Sequence, residues 1–206
     1  MSENEGLAVS AIEFRATRQA DRAGDAGASD RLFAMFYDEL RRMAQRELRR
    51  SAATTLTPTT LLHETFLNVS QRESAAFDSS GQFMSYTACA MRGLIISHLR
   101  TRKAQKRGGE FAITTLPAEL PHLEEPASAL SQLEALNEAL QALIRVDARL
   151  AECVDLKFFC GLSFEEIASM RGVSARTVRR DWNKARVLLI RLIDGRADFL
   201  RSEHRG

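Results

Sequence analysis

A chain of 206 residues is long enough for one or two domains and no more. With 45% hydrophobic and 27% charged residues it is not globally disordered, and 11 Gly with 4 Pro are too few turn formers for an architecture of many short strands. The formal net charge of +2 hides a segregation of charge along the chain, which says more about partners than the sum does.

Residues 1–28, rich in Ala, Gly, Asp, Arg and Ser without a sustained period, read as a flexible extension. From Ser29 the pattern turns helical. Leu32, Phe33, Phe36, Tyr37, Leu40, Met43, Ala44 and Leu48 recur in three- and four-residue steps, with Ser29 or Asp30 placed to cap the start. The periodicity predicts one amphipathic helix of about twenty residues. Its outer face is basic, because residues 41–50 hold five arginines against a single acid. A second helix opens with Thr57 as N-cap and Pro58 at the first helical position, where the missing N–H costs nothing, and it turns Leu61, Leu62, Phe66 and Val69 inward. A loop over 71–80 containing Phe77 and Asp78 leads into a long helix from about Gly81 to Lys106 with Phe83, Tyr86, Ala90, Leu94, Ile95 and Leu99 on its inner stripe. Residues 92–107 carry six cations and no acid, and cations at a helix C-terminus suit the macrodipole.

Gly108 and Gly109 stop that helix. Residues 110–138 then reverse the charge, with six glutamates and no Lys or Arg, and 116–126 with its three prolines reads as a linker. Beyond it Leu130, Leu133, Leu136, Leu140, Leu143 and Ile144 form one helical stripe, and Leu150, Val154, Leu156, Phe158 and Phe159 the next. Ser163 with Glu166 fits a capping box opening a helix over 164–170 that buries Ile167 and Ala168. Gly172 can take the positive φ of a sharp inter-helix turn, Val173 fills the angle, and Ser174 caps a last helix from Ala175 to about Ile193 that turns Val178, Trp182, Ala185 and Leu189 inward. The expected fold class is all-α: two small helical domains joined by an acidic flexible linker, the second a helix-turn-helix domain. Its expected divisions are an N-terminal extension 1–28, a helical domain 29–109, a linker 110–127, a helix-turn-helix domain 128–195 and a tail 196–206.

The outward face of the last helix carries Arg176, Arg179, Arg180, Asn183 and Lys184 at steps of three and four. Arg reads guanine bidentately and Asn reads adenine in the major groove, so these residues suit a recognition helix, while Arg171 and Arg186 suit phosphate contacts. Basic faces on both sides of an acidic connector suit a protein that touches a polyanion at both ends; the alternatives are solvated helix faces and an ordinary helical hairpin. Catalysis is poorly served. His63 and Glu64 share a helix, yet there is no H-E-x-x-H, no paired carboxylate site and no phosphate-cradling glycine loop, so no enzyme, cofactor or metal is expected. Cys89, Cys153 and Cys160 are odd in number without a C-x-x-C pair and read as packing residues. His98 reads as a nucleic-acid or surface contact. Phe83 and Tyr86 read as core, and Phe77 either as core or as a platform for an unstacked base. The longest apolar runs, such as 93–96, fall far below the roughly 18 residues of a bilayer span, and no basic-then-apolar leader opens the chain, so a cytoplasmic protein without membrane contact is expected.

Three segments, "LTPTTLLHETFLNV" (56–69), "FDSSGQFMSYTACAMRGLIISHLRTRKAQKRGG" (77–109) and "LKFFCGLSFEEIASMRGVSARTVRRDWNKARVLL" (156–189), together resemble bacterial RNA polymerase sigma factors of the extracytoplasmic-function (ECF) type over residues 30–195. The resemblance implies an N-terminal module that docks on the β′ clamp helices of core RNA polymerase through His63, Glu64, Leu67 and Asn68. It implies that Phe77, Asp78, Arg92, His98, Arg100 and Arg102 capture the non-template strand of the −10 element. It implies a C-terminal module that contacts the β flap and reads the −35 element through Arg176, Arg179, Arg180, Asn183 and Lys184. A chain of this kind is expected to be a monomer when free and to be open to control by an anti-sigma factor. Tyr86 and Ser70 stand where many members carry Trp, and Gly93 where a polar or basic residue is common. Two alternatives share the helix-turn-helix: a decoy that binds an anti-sigma factor without touching DNA, and a conventional regulator whose N-terminal half binds a ligand or dimerises.

Overall fold

The computed structural model describes residues 28–51, 55–70, 77–107 and 126–203. The expected extension over 1–27 and the linker over 108–125 lie outside the described residues. All described regular structure is helical: α1 (Ala28–Met35), α2 (Tyr37–Arg50), α3 (Pro58–Ser70), α4 (Ser80–Arg107), α5 (Pro126–Val146), α6 (Ala148–Val154), a π-turn (Asp155–Phe159), α7 (Phe164–Arg171) and α8 (Ala175–Glu203).

The first predicted helix is two. Phe36 leaves helical dihedrals (φ −104°, ψ 16°) between α1 and α2, while hydrogen bonds from Phe36 N–H to Leu32 O (3.0 Å) and from Leu40 N–H to Phe36 O (2.9 Å) carry the ladder across the bend. The bend seats aromatic rings in one core: Phe33 meets Phe66 and Phe83 edge-on at 5.1 and 5.6 Å, and Phe36 packs on Phe83 at 5.6 Å. It also rotates the stripe, so Tyr37 faces solvent and Glu47 is buried where Leu48 was expected to be. The N-cap of α3 is as expected, with Thr57 Oγ1 accepting from Thr60 N–H at 3.1 Å.

In the second half, Asp147 caps α6 by accepting from the N–H groups of Arg149 and Leu150 at 3.0 and 3.3 Å. The chain then widens: Cys160 N–H donates to Asp155 O at 2.9 Å, five residues back. The extra residue of this π-turn shifts the helical register, so Phe159 is buried and Phe158, expected inward, turns outward. The capping box at α7 forms with Glu166 N–H on Ser163 Oγ (3.1 Å) and Ser163 N–H on Glu166 Oε2 (2.6 Å). Gly172 takes φ +63°, and Val173 N–H donates to Ala168 O at 3.0 Å, the six-to-one bond of a Schellman stop. Helix α8 runs ten residues past the expected end at Ile193. The residues after Asp194 are mostly good helix formers, and one glycine costs only about 1 kcal/mol.

The two halves pack against each other, α4 lying on α5, the π-turn, α6 and α7. At the centre of the junction Arg92 and Asp155 are both buried, with Nη1 and Oδ1 3.0 Å apart. Ser85 Oγ donates to Asp155 Oδ2 at 2.7 Å, and the Arg92 guanidinium lies 3.9 Å from the centre of the Phe159 ring. From α2, Arg46 donates to Cys160 O and Arg50 to Phe158 O at 2.9 Å. Asp155 lies above the ordinary carboxylate range because burial disfavours its charge, and Arg92 opposes that effect.

Glu47, beside Arg50 at 3.3 Å, has its carboxyl pushed up from 4.5 to about 7, mainly by burial, with Arg92 and Arg50 pulling it down and Asp155 pushing it up. A carboxyl that holds its proton more tightly when folded makes stability fall as pH rises from about 4.5 to about 7, after which the loss is constant. Glu47→Gln is therefore expected to be more stable than the parent by about 2 to 3 kcal/mol near pH 8. The difference shrinks toward zero near pH 5, as read from urea midpoints at each pH.

Candidate nucleic-acid interface

Helix α8 begins after a short turn that fixes its angle to α7. Ser174 Oγ accepts from Thr177 N–H at 3.1 Å, which caps the N-terminus. Val178, Ala185 and Leu189 are buried, and Trp182 is half-buried against the same core. That leaves Arg176, Arg179, Arg180, Asn183 and Lys184 exposed together. All five line one open groove, walled on the other side by Val146, Asp147 and Leu150. Arg186 is exposed farther along the same helix. Arg179 pairs with Glu165 of α7 at 2.8 Å, both side chains being exposed, and lies 5.5 Å from the Phe164 ring.

Arg171, expected as a phosphate contact, is placed otherwise. Its side chain is only 6% exposed, with Nη2 3.3 Å from Asp181 Oδ2 of α8 and Nε 4.0 Å from Glu152 Oε2 of α6. Three helices meet on this one guanidinium, which leaves it no open side toward a phosphate. Burial raises the Glu152 carboxyl and Arg171 pulls it down.

In the N-terminal half the expected residues separate into two groups. His63, Glu64, Leu67 and Asn68 are all exposed on the outward face of α3, opposite buried Leu61, Leu62, Thr65 and Val69. The second group is not gathered into one patch. Phe77 is buried, edge-on to Phe83 at 5.3 Å and tilted against Tyr86 at 5.4 Å, so its ring is packed in the core in this arrangement. Arg92, expected to face DNA, is fully buried against Asp155 and Phe159. Asp78 is exposed at the start of α4, His98 is half-buried 3.4 Å from Thr55 Oγ1, and Arg100 is exposed but bonded to Glu134 of α5 at 2.6 Å. Arg102 is half-buried one turn beyond His98.

Sequence reasoning missed the junction residues Arg46, Glu47, Arg50, Ser85 and Asp155. One signal was present: Asp155 stands directly between Val154 and Leu156 of the inward stripe, and a buried charge requires a partner. Cys153 and Cys160 are buried as packing residues, their thiols held to the carbonyls of Val178 and Met84 at 3.8 and 3.9 Å, and burial pushes the Cys153 thiol up to about 11. Among the described residues no group of three His, Cys, Asp or Glu is arranged to hold a metal ion, and no helix is long and apolar enough to cross a membrane.

An all-helical chain with a capped, glycine-turned helix pair and a row of exposed Arg, Asn and Lys on its second helix is a helix-turn-helix DNA-binding protein. The ECF sigma factor family matches residues 15–194, and the chain belongs to that family. Its work is thus promoter-specific transcription initiation through RNA polymerase, and core RNA polymerase and promoter DNA are its partners. No curated protein matches the chain.

The placement of Arg171 yields a prediction opposite to that of a phosphate contact. Arg171→Ala takes from Asp181 and Glu152 the one buried cation they share, leaving Asp181 only the exposed Arg180 at 4.0 Å, and is expected to lower stability by about 3 kcal/mol in thermal or urea unfolding. The salt slope of DNA binding by the folded fraction is expected to stay unchanged.

Proposed function

We propose that residues 29–109 and 128–195 act as separate recognition modules, the first capturing the non-template strand of the −10 element and the second reading the −35 element. The observation that carries the second assignment is the single groove shared by Arg176, Arg179, Arg180, Asn183 and Lys184. Side chains with the donors for guanine and adenine edges stand there at the spacing of a helix that enters the major groove. The exposed face of α3, with His63, Glu64, Leu67 and Asn68, is the surface offered to the β′ clamp helices. Val146 and Val187, both large, exposed and apolar, border the α8 groove and suit contact with the β flap. In the −10 module Asp78, His98, Arg100 and Arg102 are the accessible members of the strand-capturing set. Bases held in pockets and against basic side chains offset the cost of unstacking, so melting in this mechanism needs no hydrolysis. The free chain is a monomer in this reading, and an anti-sigma factor would act by covering either module.

The test is reconstitution. Purified chain mixed with core RNA polymerase is expected to co-elute and to start transcription at new sites on genomic promoter fragments. No complex, with duplex DNA still bound, would instead indicate a conventional regulator; neither complex nor DNA binding would indicate the decoy. At the level of residues, Arg180→Ala is expected to cost about 1 to 3 kcal/mol at one base pair of the −35 element and to relax specificity there. An equal loss on all sequences, measured by competition across a library of −35 variants, would overturn the recognition-helix assignment.

A further inference from the structure

The junction between the halves is built from the chemistry of a nucleic-acid contact. On one side stand three arginines of the N-terminal half: Arg46 and Arg50 from α2 and Arg92 from α4. On the other, the segment 155–160 presents acceptor oxygens to all three, the Asp155 carboxylate to Arg92, Phe158 O to Arg50 and Cys160 O to Arg46. It also presents two rings against guanidinium groups, Phe159 at 3.9 Å from Arg92 and Phe158 at 4.0 Å from Arg50. Oxygen acceptors alternating with flat rings on arginines are what an unstacked strand offers through its phosphates and bases. Gly161, at φ +74°, lets the chain leave the site: a Cβ there would come within 2.6 Å of Arg46 Nη1.

The fit to this occupant is incomplete. Arg92 is fully buried, yet Nε, Nη1 and Nη2 all lack a directed hydrogen bond, and so does Asp155 Oδ1, so the contact with Asp155 is a charge pair without aligned donors. Buried guanidinium donors left unaligned carry a desolvation cost that the pair only partly offsets. A partner with more acceptors would satisfy them better.

We propose that Arg46, Arg50 and Arg92 form a binding face for single-stranded DNA, and that the segment 155–160 mimics the strand and occupies that face in the free protein. The proposal rests on the sigma-factor reading for its biological setting but not for its chemistry. Binding the strand displaces the C-terminal half, so the arrangement described here is the closed form and the DNA-bound form is open. If the open form is about 1 to 10% of free molecules, apparent affinity for a strand is lowered about 10- to 100-fold by closure.

The experiment uses the full-length chain and a short single-stranded DNA oligonucleotide as probe. Asp155→Asn keeps the shape at the junction and removes the charge facing Arg92; Phe158→Ala removes a partly exposed ring that lies against Arg50 and, edge-on at 5.0 Å, against Phe159. Both are expected to enlarge the radius of gyration in small-angle X-ray scattering and to tighten oligonucleotide binding by anisotropy, about tenfold for Asp155→Asn. Adding Arg50→Gln to either variant is expected to reverse the gain. Unchanged scattering and affinity in both variants would overturn the proposal, as would expansion without tighter binding or tighter binding that Arg50→Gln leaves intact. Failure of the parent chain to co-elute with core polymerase would overturn the sigma-factor reading alone, because neither scattering nor oligonucleotide binding involves polymerase.

Discussion

The arrangement of the two halves depends on one buried ion pair. Arg92 and Asp155 are both removed from water at the junction, and each carries a solvation cost that the charge of the other offsets most directly. Everything around them follows from that cost. Ser85 takes the second carboxylate oxygen, Phe159 lies against the guanidinium face, and Arg46 and Arg50 cover the carbonyls at the end of the π-turn. Apolar residues of the same volume would hold these surfaces together at least as well, so the charges are better understood as a means of choosing between arrangements than as adhesive.

The helix-turn-helix shows the opposite strategy. Its geometry is over-determined by local devices: the Ser163 and Glu166 capping box, the Gly172 turn, the Ser174 cap and the Arg171 clamp on Asp181 and Glu152. Each of these bonds is made between residues of the C-terminal half. A recognition helix fixed in this way carries its side chains as a rigid set, which suits reading base edges wherever the rest of the chain happens to be.

Much of this was legible in the sequence because it is local. Caps, the turn glycine, the inner stripe of α4 and the exposed row on α8 are all encoded within a few residues, and the ECF resemblance named the family that the comparison then showed. What escaped was non-local. Arg92 opens a segment with six cations and no acid and looks like a surface residue until Asp155, 63 positions later, is brought against it. Arg171 follows the same logic, since its partners come from two other helices. The bend at Phe36 escaped for a different reason: helical periodicity continues across it, and only the crowding of Phe33, Phe66 and Phe83 decides that the backbone departs there.

The π-turn has one more consequence, for the comparison of related chains. Five residues close a loop that four would close in an α-helix, so each residue from Leu156 to Phe159 has its facing set by a surplus of one. A relative shortened by one residue between Asp155 and Gly161 would turn its next side chains by about 100° and bring a different ring under the arginine of α4. Length is therefore as strict a requirement as residue identity at this point: a chain one residue shorter there could not present the same rings and carbonyls to Arg46, Arg50 and Arg92.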